Sequence, residues 1–408
     1  MEKSDSKQPK KAGLSGDVQS SSRSTRREFI KKCAVTLGAT ALGGMSLLAC
    51  TRQGNSRNMP TTLKDALEGK FLIGVALNSH QFSGRAEADA AIVKEHFNSI
   101  VAENVMKPEP IQPREGEFFW DDADRFVEFG ERNNMHIVGH TLIWHSQLGR
   151  WFFFDENGND VSPEVLRQRM RTHIHAVVGR YKGRVHGWDV VNEAFVNNGA
   201  WRQTGFYRIL GEEFIPLAFQ YAHEADPDAE LYYNDYNEWH PGKRDSIVRL
   251  ANSLKARGIR IDGIGMQGHF GMGHPELAEY EAAIQAYAST GLKVMITELD
   301  MSILPSAWGA IGAEISHNFE YQERLNPFRE GVPEEVYDQW TNRFLDFFKL
   351  FIKYKDHISR VTMWGVSDGG SWLNNFPVRG RTDYPLLFDR NHQPKRIVGE
   401  IIRLATES

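Results

Sequence analysis

Along residues 61–408, short apolar or β-branched runs alternate with longer stretches in which apolar residues recur every three to four positions. The first pattern is that of buried strands, the second that of helices packed on one face. The runs predict strands over residues 71–76, 99–102, 136–140, 185–191, 230–234, 264–267, 294–298 and 361–364. Helical periodicity fills the intervals, most clearly over 122–133, 163–181, 241–257 and 334–354. Eight strand–helix units predict an α/β fold, a single (β/α)8 TIM barrel with insertions. A doubly wound open sheet is the competing arrangement. It normally carries a glycine-rich phosphate turn after the first strand, and Gly74-Val75-Ala76-Leu77 is not one.

A barrel makes a demand on the sequence: groups that do chemistry should follow the C-terminal ends of strands. Here they do so repeatedly. The second strand leads into Glu103-Asn104-Val105-Met106-Lys107, and the third into His140-Thr141-Leu142-Ile143-Trp144-His145. The fourth leads into Asn192-Glu193, the fifth into Asn234-Asp235-Tyr236-Asn237 and the sixth into Gln267-Gly268-His269. The seventh ends at Glu298-Leu299-Asp300, and the eighth at Trp364-Gly365-Val366-Ser367-Asp368. Glu193 and Glu298, ending strands four and seven, face each other across the barrel mouth. Taken singly, each reads as an ion-paired surface glutamate. Taken together, with Asn192 beside one of them and an aromatic rim, they are the two carboxyl groups that glycoside hydrolysis requires.

Composition narrows the class. At 41% hydrophobic, 25% charged and 11% aromatic residues, the chain is that of a soluble globular protein. A net charge of −5 gives no support for a nucleic-acid partner. The charge is uneven: residues 1–49 are basic, so the body is more acidic than the total suggests. Both cysteines, Cys33 and Cys50, lie in this head, leaving the body without disulfides or thiolate metal ligands.

The head reads as an address. Thr25-Arg26-Arg27-Glu28-Phe29-Ile30-Lys31 resembles a bacterial twin-arginine export signal, and an apolar run over 33–49 follows it. That run falls just short of the roughly 18 residues that span a bilayer. Its end, Leu47-Leu48-Ala49-Cys50, resembles a lipobox, in which Cys50 would be lipidated and become the first mature residue. The expected organisation is a lipoprotein signal peptide (1–49), a polar tether (50–60) and one catalytic domain (61–408). An uncleaved signal anchor is the alternative. The membrane would be met only through the lipid, outside the cytoplasm on the periplasmic side or the cell surface.

The segments HTLIWHSQ (140–147), WDVVNEA (188–194), MQGHF (266–270) and ITELD (296–300), with Trp364 and Trp372, closely resemble glycoside hydrolase family 10. The resemblance covers essentially all of 61–408 and implies a retaining endo-1,4-β-xylanase acting on xylan or xylo-oligosaccharides, without a cofactor and as a monomer. It implies Glu193 as general acid/base and Glu298 as nucleophile, with His269 and Asp300 as the charged pair behind Glu298. It places Glu103, Asn104, Lys107, His140 and Gln147 on the non-reducing side of the scissile bond, with Gln267 and His269 near the reacting sugar. Asn192 would meet the sugar 2-hydroxyl, and Trp144, Trp364 and Trp372 would form an aromatic cage. Asn234 and Tyr236 would line the leaving-group side. For each tryptophan, core packing is the competing reading.

No metal site is expected. There is no HExxH motif, His140 and His145 are five apart on a strand and face opposite ways, and His173 and His175 sit in a helical stretch and read as solvated. Two departures from the family pattern stand out: Leu148-Gly149-Arg150-Trp151 lacks the proline often found after the leucine, and the loop from Met301 to about Pro333 is long enough to be functional. Two other functions stay open: the same mechanism on another β-glycan or on short xylo-oligosaccharides, and a non-catalytic glycan-binding lipoprotein.

Overall fold

The computed structural model describes residues 60–306 and 325–408. Nine parallel strands are present among them: β1 (Leu72–Leu77), β2 (Ser99–Ala102), β3 (His136–Ile143), β4 (Gly187–Asn192), β5 (Glu230–Asp235), β6 (Gly263–Met266), β7 (His269–Gly271), β8 (Lys293–Ser302) and β9 (Ile358–Met363). Sheet order runs β6-β5-β4-β3-β2-β1-β9-β8, and β6 pairs with β8 to close an eight-stranded barrel. The expected fold is therefore present. The export motif, Cys50, nearly all of the tether and residues 307–324 of the long loop lie outside the described residues.

The strand side chains divide between two packing environments. Those facing outward join the large core between barrel and helices. Inside the barrel, Ala76, Val101, Val138, Tyr232, Met295 and Trp364 form a separate apolar plug, with Trp372 against it. The helix Glu334–Lys353 buries Trp340, Phe344, Phe347, Phe348 and Phe351, the spacing that one helical face requires. Helix starts follow local chemistry: Ser162 Oγ accepts the N–H of Val165, with Pro163 in the first turn. Gly139 is needed because a Cβ there would stand 2.1 Å from the Trp188 ring.

Three expectations change. β8 does not stop at Glu298 but runs to Ser302. Its acidic residues remain in the ladder because β7, missed from the sequence, pairs alongside and sets His269 opposite Asp300. β6 and β7 are in effect one strand interrupted at Gln267-Gly268, and both face β8. His173 is not solvated. It lies on the buried face of its helix, with Nδ1 2.8 Å from Gln112 Oε1, and burial pushes its pKa down to about 4. His175 is half-exposed and pairs with Glu224 at 3.2 Å. The described end of the long loop is anchored, since Asn326 Oδ1 accepts the Thr382 N–H at 2.9 Å and Tyr384 OH donates to the Phe328 carbonyl.

Candidate active site

The ladder shifts register between His140 and Ile143, between Asp189 and Val191, and between Ile296 and Leu299. Such irregularities re-aim side chains. A fourth, between Val294 and Met295, lies at the start of β8, whereas these three lie at the end of the barrel that bears the two glutamates. There a cleft of about 970 Å³ gathers Glu193 and Glu298 with Glu103, Asn104, Lys107, His140, Trp144, Gln147, Asn192, Gln267, His269, Trp364 and Trp372. Apart from Asn234, which is buried behind the cleft, the expected binding residues are thus in one place, and Asp300 stands directly behind.

Three amides link the two glutamates. Gln267 Nε2 donates to Glu193 Oε1 at 3.0 Å and lies 3.3 Å from Asn192 Oδ1. Asn192 Nδ2 also donates to Glu193 Oε1, at 3.2 Å. Asn234 Nδ2 donates to Asn192 Oδ1 at 3.0 Å and to Glu298 Oε1 at 2.7 Å. Thr297 Oγ1 donates to Asn234 Oδ1 and sets that amide's orientation. Asn234 is accordingly not a leaving-group wall residue. It is fully buried and clamps Glu298, because β4 and β5 pair with Asn192 opposite Asn234 and carry both inward.

Glu298 and Glu193 are held differently. His269 Nε2 lies 3.1 Å from Glu298 Oε2, and its Nδ1 lies 3.0 Å from Asp300 Oδ1. Trp372 Nε1 donates to Asp300 Oδ2 at 2.8 Å. Burial opposes a charge on His269, but the two carboxylates outweigh it and raise its pKa to about 10, so it is an imidazolium. Burial likewise opposes ionisation of Glu298. The His269 hydrogen bond, the field of His140 and His269, and the Asn234 amide outweigh it and hold the carboxyl below its ordinary range. Glu193 instead leaves Oε2 buried with no hydrogen-bond partner among the described residues.

The Glu193 backbone lies in the left-handed region, at φ 60°, a conformation that costs on the order of 1–3 kcal/mol outside glycine. Its neighbours fix it there. Glu193 N–H donates to the Asn234 carbonyl at 2.9 Å, Arg202 Nε donates to the Glu193 carbonyl at 2.9 Å, and Ala194 N–H donates to Tyr233 Oη at 3.0 Å. Arg202 Nη2 also donates to Tyr236 Oη at 2.8 Å. Neither Arg202 nor Tyr233 follows a strand end, so the barrel rule gave no signal for them.

On the side of β2 and β3, Lys107 Nζ donates to Gln147 Oε1 at 2.8 Å and Asn104 Oδ1 at 3.0 Å, over the Trp144 ring. Burial lowers the Lys107 pKa against the pull of Glu298, Glu103 and Glu193, and burial raises that of Glu103 against Lys107. His140 Nδ1 meets Asp189 Oδ2 at 2.8 Å. Trp144 and Trp364 are nearly buried yet line the cleft, and Trp364 also packs on the barrel plug. Among the described residues, no three His, Cys, Asp or Glu side chains are placed to hold a metal ion.

A barrel that brings two differently supported glutamates together, Glu193 just after β4 and Glu298 within β8, is the arrangement of a glycoside hydrolase. Residues 62–403 match glycosyl hydrolase family 10, and the chain belongs to that family. It is 50% identical over 349 residues to endo-1,4-beta-xylanase A of Xylanibacter ruminicola, covering 86% of this chain and 94% of that protein. It is 42% identical to an endo-1,4-beta-xylanase of Geobacillus stearothermophilus, covering 84% of this chain and 98% of the relative. A solved GH10 endoxylanase retrieved from a sugarcane soil metagenome superposes with a TM-score of 0.80 at 44% identity, over 84% of this chain and 99% of that one.

Proposed function

We infer that this chain is a retaining endo-1,4-β-xylanase. The observation that carries the reading is the pair Glu193 and Glu298, joined by the amide network within one cleft of a family 10 barrel. Glu298, kept ionised by His269, attacks the anomeric carbon while Glu193 delivers its proton to the departing glycosidic oxygen. The C–O bond breaks and a glycosyl ester on Glu298 remains. With that charge gone, Glu193 takes a proton from water, whose oxygen attacks the same carbon. The ester bond breaks, and the product keeps the configuration of the substrate. Asn192, already set by Gln267 and Asn234, is the group for the sugar 2-hydroxyl. A silent glycan-binding role leaves the imidazolium behind Glu298 without a purpose.

A product profile on xylan and on a soluble mixed-linkage β-glucan, with the anomer followed by NMR from the first minutes, tests the reading. Expected are β-configured xylo-oligosaccharides of mixed length from internal cleavage, with slow or no turnover of the glucan. An initial α-product, or preference for the glucan, overturns it.

The support of Glu298 gives a pH prediction. The attacking form is the carboxylate, so activity falls as pH drops through its pKa. His269→Asn removes the imidazolium and leaves burial unopposed, raising that pKa. The acidic limb of kcat/KM on an aryl xylobioside should move up by about 1–3 units. An unmoved limb removes His269 from this role.

We further propose that the enzyme is exported folded and tethered through lipid on Cys50. The support is the order of the arginine pair, the apolar run and the lipobox-like end. Cys50→Ser should move the activity from the membrane fraction to the soluble one with unchanged kinetic constants. Equal membrane fractions for variant and wild type favour an uncleaved anchor.

A further inference from the structure

Glu193 and Glu298 divide the barrel mouth unequally. β5 and β6 lie on the arc between β4 and β8 on one side, and β3, β2, β1 and β9 on the other. The longer arc carries Glu103, Asn104, Lys107, His140 and Gln147. The cleft continues across the shorter arc, lined by Asn197, Asn198, Tyr236, Asn237, Trp239 and His240. On the family resemblance, which implies that the long arc holds the non-reducing side, the departing chain would cross this second wall.

That wall is built in advance. Asn237 adopts a left-handed backbone at φ 49°. Glu238 is turned inward and buried, while Asn237, Trp239 and His240 on either side remain half-exposed toward the cleft. Trp239 stacks on His240 with ring centroids 3.9 Å apart and an interplanar angle of 27°. Burial lowers the His240 pKa, so the ring backing the indole is uncharged at neutral pH. Beside the stack, Asn197 and Asn198 are exposed amides on the loop after β4. That loop is held hard against the start of the helix Pro241–Ala256: a Cβ on Gly199 would lie 2.3 Å from the Gly242 carbonyl oxygen, and one on Gly242 would lie 2.5 Å from that of Asn198. Ser246 Oγ donates to the Gly199 carbonyl at 2.7 Å. A half-exposed indole backed by a second ring, with two exposed amides at its edge whose oxygens accept from Ala200 N–H and Asn237 Nδ2, has the chemistry that binds a pyranose: the flat C–H face on the ring and hydroxyl oxygens on the amide N–H groups.

We propose that Trp239, backed by His240 and flanked by Asn197 and Asn198, is a binding platform for a xylosyl ring of the departing chain, beyond the ring next to the cleaved bond. The proposal rests on the xylanase reading above. It predicts that the platform acts only on substrates whose leaving group is itself a sugar chain.

The test compares wild type, Trp239→Ala and Trp239→Phe on xylohexaose labelled at its reducing end and on an aryl xylobioside, whose leaving group carries no sugar. For Trp239→Ala, kcat/KM on xylohexaose should fall about tenfold, mostly through KM. The labelled fragments should become shorter, because fewer rings are held past the cleavage point. The aryl substrate should be unaffected, which also shows that the variant is folded. Trp239→Phe should restore most of the loss. An equal fall on both substrates, or an unchanged xylohexaose pattern, overturns the platform. Failure of the wild type to cleave xylohexaose at all overturns the xylanase reading, and the platform with it.

Discussion

Glu298→Ala should abolish turnover of xylan and aryl xylobiosides alike, by on the order of 10⁶-fold, the scale on which losing a covalent nucleophile disables a hydrolase. Neither a reactive leaving group nor an intact Glu193 can compensate, because no atom remains to form the ester. The substitution removes the carboxylate but leaves a space of known surroundings: Asn234 Nδ2 and His269 Nε2 still point at it. A small anion should fit there. Azide or formate should recover part of the activity on the aryl substrate, giving a product of inverted configuration because the anion attacks from the face Glu298 occupied. Wild-type-like turnover, or rescue with retention, contradicts the assignment.

Glu193→Ala should separate the two half-reactions. Xylan has a poor leaving group and should lose about 10²–10⁴-fold, the usual weight of general acid–base assistance. An aryl xylobioside with an acidic phenol needs little protonation, so glycosylation survives while attack by water slows. Burst release of one equivalent of phenol, followed by a slow steady state, is the expected time course. Azide should accelerate the second phase and yield a product of retained configuration, opposite to the outcome at Glu298. Equal losses on both substrates with no burst rule Glu193 out as the acid/base. The two rescue experiments together assign each carboxylate independently of the other.

The sequence exposed the barrel because its strands are buried on both faces and several read as short apolar or β-branched runs, such as Leu72–Leu77 and Ser99–Ala102. The chemistry was legible because each polar cluster follows such a run. Less legible was anything that depends on one strand seen from its neighbour. Asn234 was placed on the leaving-group side, whereas its inward register beside Asn192 makes it a partner of Glu298. β7 is three residues long and follows a glycine, too short for periodicity to register, yet it aligns His269 with Asp300. His173 looked solvated because a histidine among arginines reads as polar. Only the helical phase shared with Leu166, Met170, Ile174 and Val177 puts it inside. Arg202 lies ten residues past the end of β4, and nothing local marks it as the support of a strained Glu193 carbonyl.

The contact between Gly199 and Gly242 bears on how this enzyme could be re-engineered. Two backbone segments meet there with no room for a side chain on either, so each loop is shaped to the other. Transplanting the loop that carries Trp239 from or into a relative would bring a mismatched partner unless residues 197–199 travelled with it. The exchangeable unit for altering chain-length preference is therefore the pair of loops after β4 and β5, moved together as one cassette.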